Sequence, residues 1–456
     1  MNSQNYKTDE DEVLFRPIYH TGRGFYLIAA VLLLIMLVAG TLYVSQLIYG
    51  LGVTGMGEPV TWGFYIIDFI FFIGISHAGT LISAILRLSK AEWRRPITRM
   101  AEVITAIVLA IGGLHPIIDL GRPDRILHLV TSGRLQSPLL WDVFSITAYF
   151  TASTVYLYLP LIPDIALLRD RGDKHHKLYE FLSWGYNGSP EHKKVLERAI
   201  NILMVMVIPI AISVHTIISW IFAMTLQPGW HSTIFGPYFV VGAIFSGIAA
   251  LLIIMIIFRK AYHFENYLRD VHFDYLSTLL LIMSLLWFYF TFAEYLTGFY
   301  GHEPQEMRVF FYKIDGRFAP LFWLMVVCNF VIPVILLGFK KLRKIPGILI
   351  ASFSVILGMW LERLIIVIPS LANPRLSYVR TGVYFPSITE VMLLLFGLAA
   401  LGFGFMMFSK LFPLISIWEI KEGREESVHN VSQRLKGYFP APQAMHSMEV
   451  EGHHEQ

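Results

Sequence analysis

VTWGFYIIDFIFFIGISHAGTLISAILR, residues 60–87, is long and apolar enough to cross a bilayer, yet it carries Asp68 and His77 in its interior. Crossing a hydrocarbon core of roughly 30 Å takes about 20 apolar residues. Ionisable side chains are costly there, so one stretch indicates both the fold class and a place where chemistry is expected.

The rest of the chain agrees. Of 456 residues, 55% are hydrophobic and only 15% charged, too little polar surface for a soluble domain and no basis for nucleic-acid binding. The composition predicts an all-α polytopic membrane protein. Ten segments have spanning length: 25–49, 60–87, 99–119, 138–168, 196–224, 238–262, 273–299, 318–341, 346–370 and 388–412. Lys and Arg gather on the cytoplasmic side of short loops. With the N-terminus inside, 27 of the 36 Lys and Arg lie in or beside cytoplasmic segments, so both termini are placed in the cytoplasm of a bacterial inner membrane. Residues 1–24 read as a retained cytoplasmic segment, lacking the short apolar core of a secretory signal. The single cysteine, Cys328, excludes an internal disulfide and a cysteine-ligated iron–sulfur cluster.

Sliding the second span by 173 residues onto the sixth aligns Gly63 with Gly236, Tyr65 with Tyr238, Phe72 with Phe245 and Gly74 with Gly247. Both segments enter from the same side. A parallel repeat of two four-helix bundles is therefore expected, 60–224 and 225–370. They are flanked by a first helix and loop (25–59), a last loop and helix (371–412) and a polar cytoplasmic tail (413–456).

Where the second span has Asp68 and His77, the sixth has Val241 and Ala250, so polar chemistry is concentrated in the first bundle. Asp68 falls about 12 Å below the outer end of its helix, and His215 at a similar depth in the fifth. His115, Asp119 and Asp142 come nearer the outer surface, which suggests a buried polar pocket open to the external face. Asp142 either belongs to this group or complements a helix N-terminus. Asp164 lies near the cytoplasmic end, where water is expected to solvate it. Asp68 and His77, nine residues apart, point to opposite sides of an ideal helix.

The run His115-Pro-Ile-Ile-Asp119-Leu-Gly121-Arg122-Pro123-Asp-Arg125, the glycine-rich second span and the repeated bundles resemble the NrfD, or polysulfide reductase, membrane subunit family. Phe292-Ala-Glu294-Tyr295, Met359-Trp360-Leu-Glu362-Arg363 and Tyr384-Phe-Pro386 through Glu390 resemble its larger members, especially the ActC subunit of bacterial alternative complex III. That resemblance implies a subunit that oxidises menaquinol or another quinol. It further implies an iron–sulfur partner on the external face, multihaem cytochrome c subunits, a second NrfD-like membrane subunit, and no metal or haem in this chain.

Under this reading Asp68, His77, His115, Asp119 and Asp142 handle protons at the quinol site. Trp62, Phe69, Phe72, Trp141, His215 and Arg122 bind the substrate, although the aromatic residues also fit ordinary lipid-facing roles and Arg122 either docks a partner or pairs locally. Glu294, Glu362, Arg363 and Glu390 offer a proton route through the second bundle. Glu362 and Arg363, being adjacent, are expected to point to different sides of their helix and to pair across helices. Competing readings are a quinone-reducing subunit of a hydrogenase-type complex and a membrane transporter. A di-haem cytochrome b would need histidines at matching depths, whereas His77, His115 and His215 are counted at three.

Overall fold

In a computed structural model, residues 9–172, 175–375 and 382–425 are described. Among them, ten helices have the length and apolarity of membrane spans: α1 (Arg23–Tyr49), α2 (Phe64–Leu88), α3 (Thr98–Asp119), α4 (Pro138–Asp170), α5 (Pro190–Ala223), α6 (Phe235–Tyr262), α7 (Asp270–Gly301), α8 (Ala319–Gly338), α9 (Ile345–Ala372) and α10 (Ile388–Leu411). The fold is all-α, as the composition predicts. Successive spans pack side by side: α2 on α3, α3 on α4, α4 on α5, with the middle of α2 closing on α5. The same order holds for α6 to α9, with α9 returning to α6. α6 and α9 also rest on α2, which thereby becomes the central helix, almost wholly buried. α1 packs chiefly on α10 and leaves most of its surface to lipid.

Two features let α2 sit so deep. Glycine replaces bulk where neighbours press closest: a Cβ on Gly79 would lie 1.7 Å from the Ala101 carbonyl oxygen, and one on Gly74 would touch Ser246 and Ala243 of α6. In addition, residues Ala78–Ile82 form one wide π turn inside α2. Such turns free backbone groups, and here the Ser76 carbonyl accepts hydrogen bonds from Thr105 at 2.6 Å and Tyr149 at 3.2 Å.

Alternate spans run in opposite directions, so the described residues before α1 and after α10 lie on one face, called here the terminal face. There the chain does something its composition does not announce. After α10, residues 414–420 turn back into the end of the α2–α5 unit, with Leu414, Ile415 and Ile417 buried. Asp164 is the anchor: its two carboxylate oxygens accept the backbone N–H groups of Ile417 and Trp418, and Arg99 pairs with it from α3. Trp418 donates its indole N–H to the Pro160 carbonyl at 2.8 Å. Glu419 receives Arg87 at 2.5 Å and Arg94 at 2.8 Å. Asp164 is therefore not solvated, as its place near a helix end suggested, because the returning segment displaces the water. The cytoplasmic-tail assignment fails at the same point, since 414–420 belongs to the packed body; residues 426–456 lie outside those described.

Burial alone would raise the Glu419 carboxyl, but Arg87 and Arg94 outweigh it and hold it below the ordinary glutamate range. A depressed carboxylate contributes its full stability above its unfolded value and loses it as pH falls through the folded value. The segment should therefore stay seated at mildly acidic pH and come away only below the usual glutamate range. Asp164→Asn leaves Arg99 without its counter-charge, a loss of about 3–5 kcal/mol. A lower melting temperature and faster proteolytic trimming of 414–425 are expected; unchanged trimming would contradict the anchoring role.

Candidate functional site at the head of the central helix

Asp68 lies one turn into α2 and is fully buried. One oxygen, Oδ1, accepts the indole N–H of Trp360 on α9 at 2.9 Å. The other, Oδ2, has no hydrogen-bond partner and faces Nε2 of His115 on α3 at 3.9 Å. His115 is oriented by its own helix, Nδ1 lying 2.9 Å from the Ile111 carbonyl oxygen. That contact assigns the proton to Nδ1 in the neutral ring and leaves Nε2 as a bare acceptor. Two unsatisfied acceptors thus converge across a gap too wide for a direct hydrogen bond. The arrangement suits a donor seated in the gap, such as a hydroxyl group, whose single proton goes to one of the two.

The walls are aromatic. Phe72 leans on the His115 ring at 5.4 Å, and Phe64 meets Trp360 edge-on at 5.0 Å. Phe72 occupies a notch on α10 that exists because residue 397 is glycine; a Cβ there would come within 2.5 Å of its ring.

His77 points away from this pair, as the nine-residue spacing requires. Its Nε2 lies 2.6 Å from the Ala211 carbonyl and its Nδ1 3.1 Å from that of Ile73. The His215 ring is in contact with it, centroids 3.8 Å apart, and neither His215 nitrogen has a partner. This corrects the depths counted from sequence. His215 lies level with His77, not Asp68, because α5 is longer than α2 and residue counts along unequal, tilted helices do not measure depth. The three-depths argument against a haem goes with it, although two rings in contact leave no space for an iron between them.

The other expected residues are dispersed. Asp119 and Asp142 each keep one buried oxygen without a partner, at the outer ends of α3 and α4. Trp62 stacks on Trp230 and meets Phe222, while Trp141 donates its indole N–H to the Leu135 carbonyl at 2.5 Å. Phe69 is buried in the core. Arg122 is exposed and pairs with Asp124 at 3.2 Å.

In the second unit, Glu362 and Arg363 do not diverge as adjacent helix residues were expected to. They pair with each other at 3.2 Å, because Gly242 of α6 leaves room where a Cβ would lie 2.8 Å from the Arg363 guanidinium. Glu362 also accepts the Trp287 indole at 2.6 Å. Glu362 and Glu294 line one cavity of about 70 Å³ with Glu306 and Lys313. Burial pushes the Lys313 ammonium down to about 8 against the opposing pull of Glu294 and Glu306. Glu390 lies apart from them. It accepts Gly55 N at 2.7 Å, Ser387 N at 2.8 Å and the Tyr384 hydroxyl at 2.6 Å, which clamps the loop before α2 to the start of α10.

Trp360 is the member that sequence reasoning missed at the site. Its signal was present, since an indole N–H inside an apolar span demands an acceptor. Trp360→Phe removes the one hydrogen bond to Asp68, a loss of about 1.5–3 kcal/mol. A double-mutant cycle with Asp68→Leu in chemical unfolding should show coupling of that size; additive losses would remove Trp360 from the site.

Residues 52–374 match the protein family described as Polysulphide reductase, NrfD. A Halobacterium salinarum protein, named as the putative membrane subunit of a dimethyl sulfoxide reductase, is 28% identical over 366 residues, covering 78% of this chain and 79% of that protein. A protein of Mesobacillus selenatarsenatis, named as a subunit of selenate reductase, is 25% identical, covering 79% and 84%. An Archaeoglobus fulgidus protein, named as an Hdr-like menaquinol oxidoreductase integral membrane subunit, is 24% identical, covering 89% and 98%.

Proposed function

The chain belongs to the NrfD polysulphide reductase family, membrane subunits of quinone-linked oxidoreductase complexes, and on that premise we propose that it binds and oxidises a hydroquinone at Asp68 and His115. The observation that carries this reading is the pair of buried, unpartnered acceptors, Asp68 Oδ2 and His115 Nε2, set 3.9 Å apart. Oxidation of a hydroquinone to a quinone releases two electrons and two protons. A hydroxyl in the gap donates its one proton to His115 Nε2, which takes it as electrons leave while Asp68 steadies the resulting imidazolium, and the proton of the ring's other hydroxyl leaves to water at the opposite end of the ring. Trp360 fixes the carboxylate through its other oxygen, so Asp68 cannot swing away. Phe72 must leave the Gly397 notch for a ring to enter, which makes it the movable wall.

The electrons then pass to an iron–sulfur subunit on the far face, with the terminal face in the bacterial cytoplasm. The archaeal relative's name supports menaquinol as the substrate, and the two reductase names support electron delivery outward to a catalytic partner. The motifs shared with larger family members support an assembly of the alternative complex III type, with multihaem cytochrome c subunits and a second NrfD-like subunit. The haem c content of the purified complex separates this from a reductase with a molybdenum partner. Asp119, Asp142 and Arg122 serve at the rim, and Glu294 with Glu362 carries protons through the second unit's cavity.

Hydroquinone:acceptor activity of the purified complex tests the site. Asp68→Asn and His115→Ala should each lower turnover by about 10²–10⁴-fold with assembly and cofactor content unchanged. Full activity in both variants sinks the assignment.

A further inference from the structure

A groove of about 570 Å³ opens in the terminal half of the protein between α1, α6 and α10. Along it, α6 meets α10 by side-chain tips. Phe258 rests against Phe405 with ring centroids 5.6 Å apart, and the Tyr262 hydroxyl lies 3.2 Å from Ser409 Oγ. α1 reaches α10 through Leu32, 3.3 Å from where a Cβ on Gly402 would stand. The walls are hydrocarbon and aromatic, from Leu398 and Ile253 at the inner end to Phe25 and Tyr262 at the mouth, where Lys410 stands.

The groove has the length of one leaflet. Lys410 and Leu398 mark its two ends on α10, a run of ~18 Å at 1.5 Å per residue. Half of a hydrocarbon core of roughly 30 Å is about 15 Å. A helix of a neighbouring subunit would cross the whole core, whereas a slot that stops half way fits a lipid tail.

The mouth carries positive charge only. An ammonium has three N–H groups. Lys410 donates one to the Pro17 carbonyl at 2.6 Å and one to the His20 carbonyl at 2.8 Å, and its nitrogen lies 4.7 Å from the Phe25 ring centroid. Among the described residues no carboxylate pairs with it, and no Asp or Glu lines the groove. Arg23 and Lys260, next in sequence to lining residues, are basic and exposed. The two carbonyl contacts give Lys410 a structural task, pinning the segment before α1 to α10. They leave its charge uncompensated and do not account for the slot beneath it.

We propose that this groove holds an anionic phospholipid, its phosphate accepting the third N–H of Lys410 and an acyl chain lying between α1 and α6. A held cation at headgroup depth above an apolar slot complements a phosphate diester on hydrocarbon chains. On the topology proposed above this is the cytoplasmic leaflet, where anionic lipids gather. The lipid tethers α1, otherwise mostly exposed, to the second unit. The proposal rests on the membrane fold and is independent of the hydroquinone reading.

The test uses the purified complete complex, washed in detergent and re-exposed to dioleoyl phosphatidylglycerol or dioleoyl phosphatidylcholine, with retained lipid counted by mass spectrometry. The unmodified complex should retain one more phosphatidylglycerol than an Ile254→Trp complex, in which the slot is filled and Lys410 is intact. Lys410→Gln should weaken that retention about fivefold or more, the worth of one lysine at an anionic surface, and Lys410→Arg should keep it. Phosphatidylcholine should be held no better by the unmodified complex than by the variants. Equal phosphatidylglycerol counts in the unmodified and Ile254→Trp complexes overturn the proposal, as does equal retention of the two lipids in the groove. A high-yield cross-link from Ile257→Cys to a partner subunit in the membrane also overturns it, since protein then covers the groove. If Lys410→Gln fails to assemble, Ile254→Trp decides alone.

Discussion

A carboxylate without water must be held by whatever surrounds it, and Asp68 is held by a single indole N–H from another helix unit. That one bond draws α9 against α2 and leaves the second oxygen free toward α3. The pairing also fits the burial of α2: its polar groups find partners within the helix, as Ser76 does at the Ile73 carbonyl, or on a neighbouring span, because lipid supplies none. Glycine at positions 74 and 79 brings those neighbours near enough to answer.

The same constraint distinguishes the two kinds of polar residue in this chain. Asp164 with Arg99, Ile417 and Trp418, and Glu390 with Gly55, Ser387 and Tyr384, use both carboxylate oxygens and lock segments together. Asp68, His115 and His215 each keep bare atoms in the interior. Leaving a buried polar atom unsatisfied costs about 1–3 kcal/mol, a burden tolerated where a ligand or a mobile proton supplies the missing partner.

Much of this was legible in the sequence. Spanning length, basic loops and the apolar run around Asp68 yield ten helices and the importance of α2 without coordinates. The opposed directions of Asp68 and His77 follow from helical periodicity alone. What failed was depth. Residue counts placed His215 at a similar depth to Asp68, because they assume equal helices standing upright, whereas α5 exceeds α2 in length. Partnership failed for a related reason. Glu362 and Arg363 were expected on different sides of their helix, but a glycine on α6 leaves the arginine room to pair with its neighbour, and that room belongs to a residue distant in sequence. The returning segment was hidden because its buried residues, Leu414 to Ile417, are too few to register as a span and sit beside charges that read as solvated.

On the hydroquinone reading proposed above, the geometry also separates Asp68 and His115 from His77 and His215. Asp68 and His115 stand at the outer end of α2, where a released proton has a short way to the far face. His77 turns to the opposite side of the same helix, toward Tyr149 of α4 and Ala211 and His215 of α5. One helix thereby presents the Asp68–Trp360 contact and the His77–His215 contact on different faces. Electrons extracted on one side cannot pull protons straight across from the other, since the intervening body of α2 is packed Phe and Ile. Any coupling between the two must therefore travel through movement or charge on α2 itself. The wide turn at Ala78–Ile82, directly after His77, is the one place in α2 where its backbone bonding is already loosened enough to permit it.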